Sequence, residues 1–397
     1  MKVKALTGNE AAVEALRQIN PDIFAMFPIT PSTQIPELFD ELIAQKKVDT
    51  VMIRTESEHS AISAAHGAAL AGARVVDATA SQGIALKHEI LYITAGSRLP
   101  VVMLVANRAL SAPLNIHADH SDTMGSRDAG WLHLYSETVQ EVYDTVIQAF
   151  RIAEHKNVLL PIIIGFDGFT VSHAVSRVEV LEDDEVKNFV GKYVPEHSVL
   201  DTEHPATFGL FALPDYYMEY RRQVRQGMCE AKNVIISVGQ EFGKKFGRNY
   251  GLVDNYKMED ADVAAIVIGS TSATLKDTVD ELREKGIRAG VLRVRSFRPF
   301  PSAELRQALM YVKAVAVLDR ADSPGTPGGP LFADICSALY GMHVQPVLVP
   351  NIYGLGGREL MPDDAMSLFK MLLETVKNGK PPNEELFIAV RKKGSVL

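Results

Sequence analysis

The stretch VVMLVANRALSAP at residues 101–113 decides the fold. Its first six residues are apolar without a break, which fits a strand buried on both faces, as in a parallel sheet covered by helices. An arginine directly after such a strand belongs at the carboxyl edge of the sheet, where open α/β sheets bind ligands. Outward from it the pattern repeats. Apolar runs at Ile23–Phe27, Thr50–Ile53, Arg74–Ala78 and Val158–Ile164 alternate with helical patterns at Ala11–Ile19, Gln34–Gln45, Ser60–Ala71, Ile84–Ala95 and Glu137–His155. That alternation predicts an α/β domain with a mostly parallel sheet.

From about 170 to 257 the alternation stops. Leu181–Tyr193 is acidic and then mixed, 194–215 is rich in Pro, His and turn residues, and Tyr216–Phe246 reads as one long helix charged on one side. This arm fits either a clasp over a partner or a plain connection. A second α/β unit begins near 260, with strands at Val263–Ile268, Gly290–Arg295, Ala314–Leu318 and Val347–Pro350, and helices at Ala273–Lys285, Ser302–Met310 and Phe332–Tyr340. The expected division is 1–250, with the helical arm at about 215–247, and 258–397. A chain of 397 residues exceeds one compact core, in keeping with two domains.

A net charge of −8 argues against nucleic acid as a partner, because a phosphate-binding surface needs clustered positive charge. No apolar run reaches the roughly 18 residues of a membrane span. The N-terminal MKVKALTGNEAAVEALRQIN has no apolar core and reads as a helix start after an Asn9 cap, so a cytoplasmic location is expected. Two cysteines, Cys229 and Cys336, cannot build a four-cysteine zinc or iron–sulfur site, and both are expected as buried apolar residues.

Three strand-end segments carry candidate chemistry. In FPITPST at 27–33, Pro28 and Pro31 restrict the backbone, so Ile29 and Thr30 are held in a defined shape. Such a loop can present a hydroxyl, or merely lead into a helix capped by Ser32 or Thr33. In TESEHSAIS at 55–63, Thr55 and Glu58 have capping-box spacing, which alone would explain the glutamate. Alternatively Glu58 is a buried acid facing a ligand across an alanine-lined helix. In ANRALSAPLNIHADHSDTMGSRDAGW at 106–131, Arg108 offers a planar fork suited to a carboxylate. His117, Asp119, His120 and Asp122 of that loop match no zinc spacing and read equally well as hydrogen-bonding caps. ASQGIA at 80–85 puts Ser81, Gln82 and Gly83 at a helix N-terminus, which can accept an anion, while GTPGGP at 325–330 and GLGGRE at 354–359 read as turns without a nucleotide fingerprint, or as segments facing the domain interface. FRPFP at 297–301 is read as the end of a strand.

FPITPST, TESEHSAIS, TASQG, ANRALSAPLNI with DHSD, RDAGW, FRPFP and GLGGRE, in this order, resemble the α subunits of 2-oxoacid:ferredoxin oxidoreductases, pyruvate:ferredoxin oxidoreductase above all. The resemblance covers essentially the whole chain. It implies a thiamine-diphosphate-binding pyrimidine-type domain followed by a transketolase C-terminal-like domain. It also implies partners: a β subunit that holds the diphosphate through Mg²⁺ and carries a [4Fe–4S] cluster, γ and δ subunits, in many members a small ferredoxin-like subunit with two more clusters, and ferredoxin as acceptor. Coenzyme A would be co-substrate. Carried over to this sequence, Glu58 matches the glutamate that hydrogen-bonds the aminopyrimidine N1′ of thiamine diphosphate and favours its imino tautomer. Thr30 matches a hydroxyl that bonds the substrate, and Arg108 the arginine that clamps its carboxylate. The backbone at Pro28 and Ile29 would line the cofactor ring. No metal ligand is expected on this chain. Pyruvate is the expected substrate; 2-oxoisovalerate, 2-oxoglutarate and oxalate are the alternatives, and a noncatalytic assembly subunit is the rival of another class. A nucleotide-dependent dehydrogenase would want a glycine-rich turn where FPITPST stands.

Overall fold

A computed structural model describes residues 2–382 and 386–391. Its largest sheet has seven strands in the order Ser296–Arg298, Leu132–Tyr135, Ile162–Asp167, Val102–Asn107, Val75–Thr79, Ile23–Met26, Val51–Arg54. All neighbours run parallel except Ser296–Arg298, which is antiparallel to Leu132–Tyr135. The double burial read from the apolar run is visible residue by residue. Val102, Leu104 and Ala106 pack into one core with the helices Gly8–Ile19 and Val139–Ala153. Val101, Met103 and Val105 pack into another with Glu58–Leu70 and His88–Gly96. Each strand residue thus removes apolar surface from water on alternate sides, about 25 cal/mol per Å².

The second sheet has six strands in the order Leu386–Phe387, Val347–Ile352, Ala314–Asp319, Val263–Val267, Ala289–Val294, Val253–Tyr256, with only the last strand antiparallel. The helices Ser272–Glu284 and Pro362–Asn378 pack in one core with it, Ser302–Ala308 and Pro330–Leu339 in the other. The 33-residue helix Pro214–Phe246 buries Val224, Ala231, Val234, Ile235, Val238 and Phe242 in the first core, a helical stripe, while Tyr216, Tyr217 and Met218 near its start are exposed.

Several expectations are corrected. The first helix is capped by Thr7, not Asn9: Thr7 Oγ1 accepts from Glu10 N at 3.2 Å and Glu10 Oε2 accepts from Thr7 N at 2.7 Å. That reciprocal pair satisfies two donors, which frees Asn9 to donate to Pro31 O at 3.0 Å. Residues Lys2–Leu6 before it form a strand, antiparallel to Ser176–Val180. The helix read over 84–95 breaks at Lys87, whose ammonium is drawn under the sheet to Asp77 at 2.6 Å. The strand read from Val158 starts only at Ile162, because the carbonyls of Val158 and Leu159 are taken by the Arg98 guanidinium. FRPFP does not just end a strand: Ser296–Arg298 crosses over and extends the first sheet. Cys229 and Cys336 are exposed. Among the described residues no helix is long and apolar enough to cross a membrane.

Candidate active site

The loop 27–33 leaves the strand Ile23–Met26 at its carboxyl end and is pinned at several points. Ser32 N and Ser32 Oγ both donate to Ile29 O, at 2.9 and 2.8 Å, and Pro31 O takes the Asn9 amide. Ser32 is therefore used within the loop, and Thr33 makes no side-chain cap, so neither caps the helix that follows. Pro28 and Thr30 are exposed and Ile29 is half-buried.

At the next strand end Ser57 caps the helix, its Oγ accepting from Ser60 N at 3.2 Å. Thr55 instead donates to the carbonyls of Met26 and Ser57. The capping box read for Thr55 and Glu58 does not form. Glu58 is the first helical residue, 8% exposed, and its carboxyl has no hydrogen bond among the described residues. A Cβ built at Gly83 would lie 2.9 Å from Glu58 Cγ, 3.0 Å from Glu58 Oε1 and closer still to Thr79 Oγ1. The cradle around the acid is thus open only because residue 83 is glycine. Thr79 Oγ1 and Asp77 Oδ1, both buried nearby, also lack partners among the described residues. Beneath them Asp77 and Lys87 form an ion pair with no exposure on either side. Burial pushes the Asp77 carboxyl above its usual range, against the pull of Lys87.

Arg108 is 7% exposed, and its guanidinium is aimed by two backbone carbonyls. Nε donates to Asn115 O and Nη1 to Thr30 O, both at 2.9 Å. No carboxylate pairs with the guanidinium among the described residues, so its charge and Nη2 remain for an anion. Burial pulls the group below its ordinary range, with the Asp122 charge opposing; an arginine stays protonated regardless. Its backbone N–H donates to Asp122 Oδ2 at 2.9 Å, and the same oxygen takes Ser81 N at 3.0 Å. Asp122 Oδ1 takes Asn107 Nδ2 and Thr123 N at 2.8 and 2.7 Å. This one buried carboxylate ties three loops together, and burial pushes it up to about 6.

The His/Asp loop is spent on such ties. Asp119 takes Ser121 N and Gly356 N, and His120 Nε2 lies 2.8 Å from Asp167 Oδ1. Asp167 also accepts from Ser270 N at 2.9 Å, at the switch point of the second sheet, where an external anion would be expected in other α/β folds. The turn of GLGGRE faces this loop, while Gly329 of GTPGGP packs on Asp319.

The structure therefore brings Thr30 and Arg108 into direct contact and sets Glu58, buried and unpartnered, at the neighbouring strand end. An anion-binding cation, an exposed hydroxyl and a sheltered acid can together hold a small carboxylate beside a heterocycle. The fit to thiamine diphosphate rests on the orphaned Glu58 carboxyl and the glycine cradle beside it. Sequence reading missed Asn115, Thr79 and Asp77, and placed Gly83 at a helix start without its role beside Glu58; only Asp77 signalled itself, as a carboxylate inside the strand VVDAT.

The profile described as pyruvate flavodoxin/ferredoxin oxidoreductase, thiamine diP-binding, matches residues 14–240, and that of pyruvate:ferredoxin oxidoreductase core domain II matches 261–365. The chain is 47% identical over 388 residues to pyruvate synthase subunit PorA of Thermotoga maritima, covering 98% of each chain. Identity to the Pyrococcus furiosus PorA is 43%, again over 98% of each. Ketoisovalerate oxidoreductase subunit VorA of Pyrococcus horikoshii is 41% identical over 96% of each. Among solved structures, 2-oxoglutarate:ferredoxin oxidoreductase from Magnetococcus marinus, with 2-oxoglutarate, coenzyme A and succinyl-CoA bound, superposes with a TM-score of 0.73 at 18% identity, over 94% of this chain and 65% of that one. A split-gene transketolase, an inactive β4 tetramer, gives 0.53 at 15% identity over 94% of this chain and 99% of its own. At such identities the two structures speak for the fold alone, an α/β fold of the transketolase kind.

Proposed function

The chain belongs to the pyruvate flavodoxin/ferredoxin oxidoreductase family, and from that premise we propose that it is the α subunit of a pyruvate synthase. The reaction is pyruvate plus coenzyme A plus two oxidised ferredoxins, giving acetyl-CoA, CO₂, a proton and two reduced ferredoxins. Thiamine diphosphate, when bound, supplies a carbon nucleophile and an electron sink for the decarboxylation.

This chain's own residues prepare that chemistry. Glu58 accepts a hydrogen bond at the aminopyrimidine N1′ and so governs which nitrogen of the ring holds a proton. Burial of most of the residue strengthens that single contact, because the local dielectric is lower than that of water. Arg108 takes the substrate carboxylate through the donors that Asn115 and Thr30 leave over. The exposed Thr30 hydroxyl bonds the substrate beside it, and the Pro28–Ile29 backbone lines the ring. The diphosphate with its Mg²⁺ and a [4Fe–4S] cluster belong to a β subunit; γ and δ subunits, two further clusters and ferredoxin complete the electron path. Residues 1–250 form the pyrimidine-type unit and 258–397 the transketolase C-terminal-like unit, with Ser296–Arg298 joining the two. The cytoplasm is the setting.

The observation that carries this reading is the 2.9 Å bond from Arg108 Nη1 to Thr30 O, which sets a carboxylate-binding cation beside a hydroxyl at one mouth, next to the strand that leads to Glu58. The test is the purified native assembly, assayed for coenzyme-A-dependent reduction of a viologen dye. Pyruvate is expected to be oxidised fastest. The 41% identity to a VorA subunit favours a branched-chain 2-oxo acid as the second reading; preferential turnover of 2-oxoisovalerate would install it. An assembly that oxidises no 2-oxo acid overturns both.

A further inference from the structure

We infer that the glycine turn Gly354–Gly357 of the second α/β unit positions Arg108 through Asn115 and thereby sets the affinity for the substrate carboxylate. The inference rests on the reading of Arg108 given above. The turn is distant in sequence from Arg108 and belongs to the other α/β unit, yet it touches the loop that carries the Arg108 acceptor.

The guanidinium of Arg108 is aimed by two acceptors, and one of them is the backbone carbonyl of Asn115. Asn115 lies midway along the segment between Asn107 and the short helix that begins at Ser121, where Leu114 and Ile116 on either side are exposed. A segment with so little buried apolar surface keeps its shape only through the bonds it makes. Those bonds lead to the second unit. Asn115 Nδ2 donates to Gly356 O at 3.0 Å, Gly356 N donates to Asp119 Oδ2 at 3.2 Å, and His120 N donates to Arg320 O at 2.7 Å. Gly356 is therefore gripped at both its N–H and its C=O by the loop that carries the Arg108 acceptor. Asn115 Oδ1 in turn accepts from His117 N at 2.6 Å, which fixes the amide the right way round.

The turn itself is anchored. Arg320, 2% exposed, reaches Gly354 O at 3.4 Å and Asp167 Oδ1 at 3.4 Å. Asp167 ends a central strand of the first sheet, so the turn is referenced to that sheet. Glycine is required where the two surfaces meet. Gly356 has φ 60°, and a Cβ there would fall 2.5 Å from Asn115 Nδ2. Gly357 has φ 83°, and its Cβ would overlap His117 Cβ. At Gly357 an added methyl must push His117 and its backbone outward, and at Gly356 it must displace the Asn115 amide, which releases the bond that holds the segment carrying the Asn115 carbonyl. Asn115 is thus a positioning residue, acting on substrate through Arg108.

The experiment uses the assembled complex carrying Asn115→Ala, Gly356→Ala, both together, or Arg108→Leu. KM for pyruvate and the calorimetric Kd of oxamate, a non-reacting isostere of pyruvate, are read beside kcat and the Kd of thiamine diphosphate. Asn115→Ala and Gly356→Ala are each expected to raise the pyruvate KM and oxamate Kd about tenfold, roughly 1.4 kcal/mol. In both, kcat stays within about threefold and thiamine diphosphate binding is unchanged. The double variant is expected to match Asn115→Ala, because the amide met by the new methyl is already gone. Unchanged KM and oxamate affinity in Asn115→Ala, with both raised in Arg108→Leu, overturns the inference and leaves the proposed function standing. Equal losses in kcat and thiamine diphosphate binding overturn it too, since a general structural role would produce them. A wild-type complex without pyruvate turnover overturns the reading on which it rests.

Discussion

Gly83→Ala tests how closely the cradle around Glu58 is drawn. The added Cβ would stand 2.9 Å from Glu58 Cγ, where carbon atoms rest at about 3.5 Å or more. The acid must therefore withdraw by about 0.6 Å, and Thr79 Oγ1, nearer still, must move as well. Overfilling a packed site of this kind costs about 1–3 kcal/mol of stability, so the variant folds with a lowered thermal midpoint. Its catalytic cost is larger in proportion. A displacement approaching 1 Å of a group that must meet a reacting ring can cost about 100-fold in rate, some 2.7 kcal/mol of barrier. The assay is kcat for pyruvate in the assembled complex, with thiamine diphosphate affinity and melting temperature measured in parallel. Removing the tightest overlap by adding Thr79→Ala is expected to restore part of the rate. Wild-type kcat in Gly83→Ala, with the protein folded and assembled, would refute the argument that Glu58 is held in place by contact across residue 83.

Two further predictions concern buried charge. Lys87→Met strands the Asp77 carboxylate without the cation that pairs with it, and the denaturation midpoint is expected to fall by the equivalent of about 3–5 kcal/mol; Asp77→Leu added to it should recover most of the loss, and an additive double variant would contradict the pairing. Burial pushes Asp319 up to about 7 from 3.8, against the N–H groups of Leu331 and Phe332 that it accepts. The native state thus holds the proton more tightly than the unfolded chain, so this contribution is fully present below pH 4 and lost as pH rises through 7, by about 4 kcal/mol in all. The difference in unfolding free energy between wild type and Asp319→Asn should follow that pH course; a pH-independent difference would contradict it.

What the sequence made legible follows physical lines. Val102–Asn107 and Val75–Thr79 announce themselves because strands buried on both faces are mostly apolar, here interrupted only by Asp77 and by the polar strand ends Thr79 and Asn107. Leu132–Tyr135 does not, because His133 breaks its run while lying fully buried, its ring nitrogens without partners among the described residues and held well below the usual histidine range at about 3. The positions of Thr30, Glu58 and Arg108 near strand ends could be read, since each lies within a few residues of the end of an apolar run. The local bonds could not. Thr55 and Glu58 have capping-box spacing, yet Ser57 wins the cap because Thr55 turns back to the Met26 carbonyl. Conversely TGNE at 7–10 spells a capping box, and its reciprocal pair of bonds outcompetes Asn9 for the cap. The contact between Asn115 and Gly356 joins residues 241 apart, and no periodicity or spacing reports a pair so distant. The crossover of Ser296–Arg298 is hidden likewise, since a three-residue strand carries no pattern of its own.

In the reading above this chain contributes the acid of a shared active site. That role is tested most directly by Glu58→Gln, an almost isosteric change at a site 8% exposed, measured as pyruvate turnover in the complete assembly. Turnover is expected to fall by at least about 100-fold with the subunits still associated, the range seen when a proton-governing carboxyl is removed. Turnover within a few-fold of wild type would contradict it.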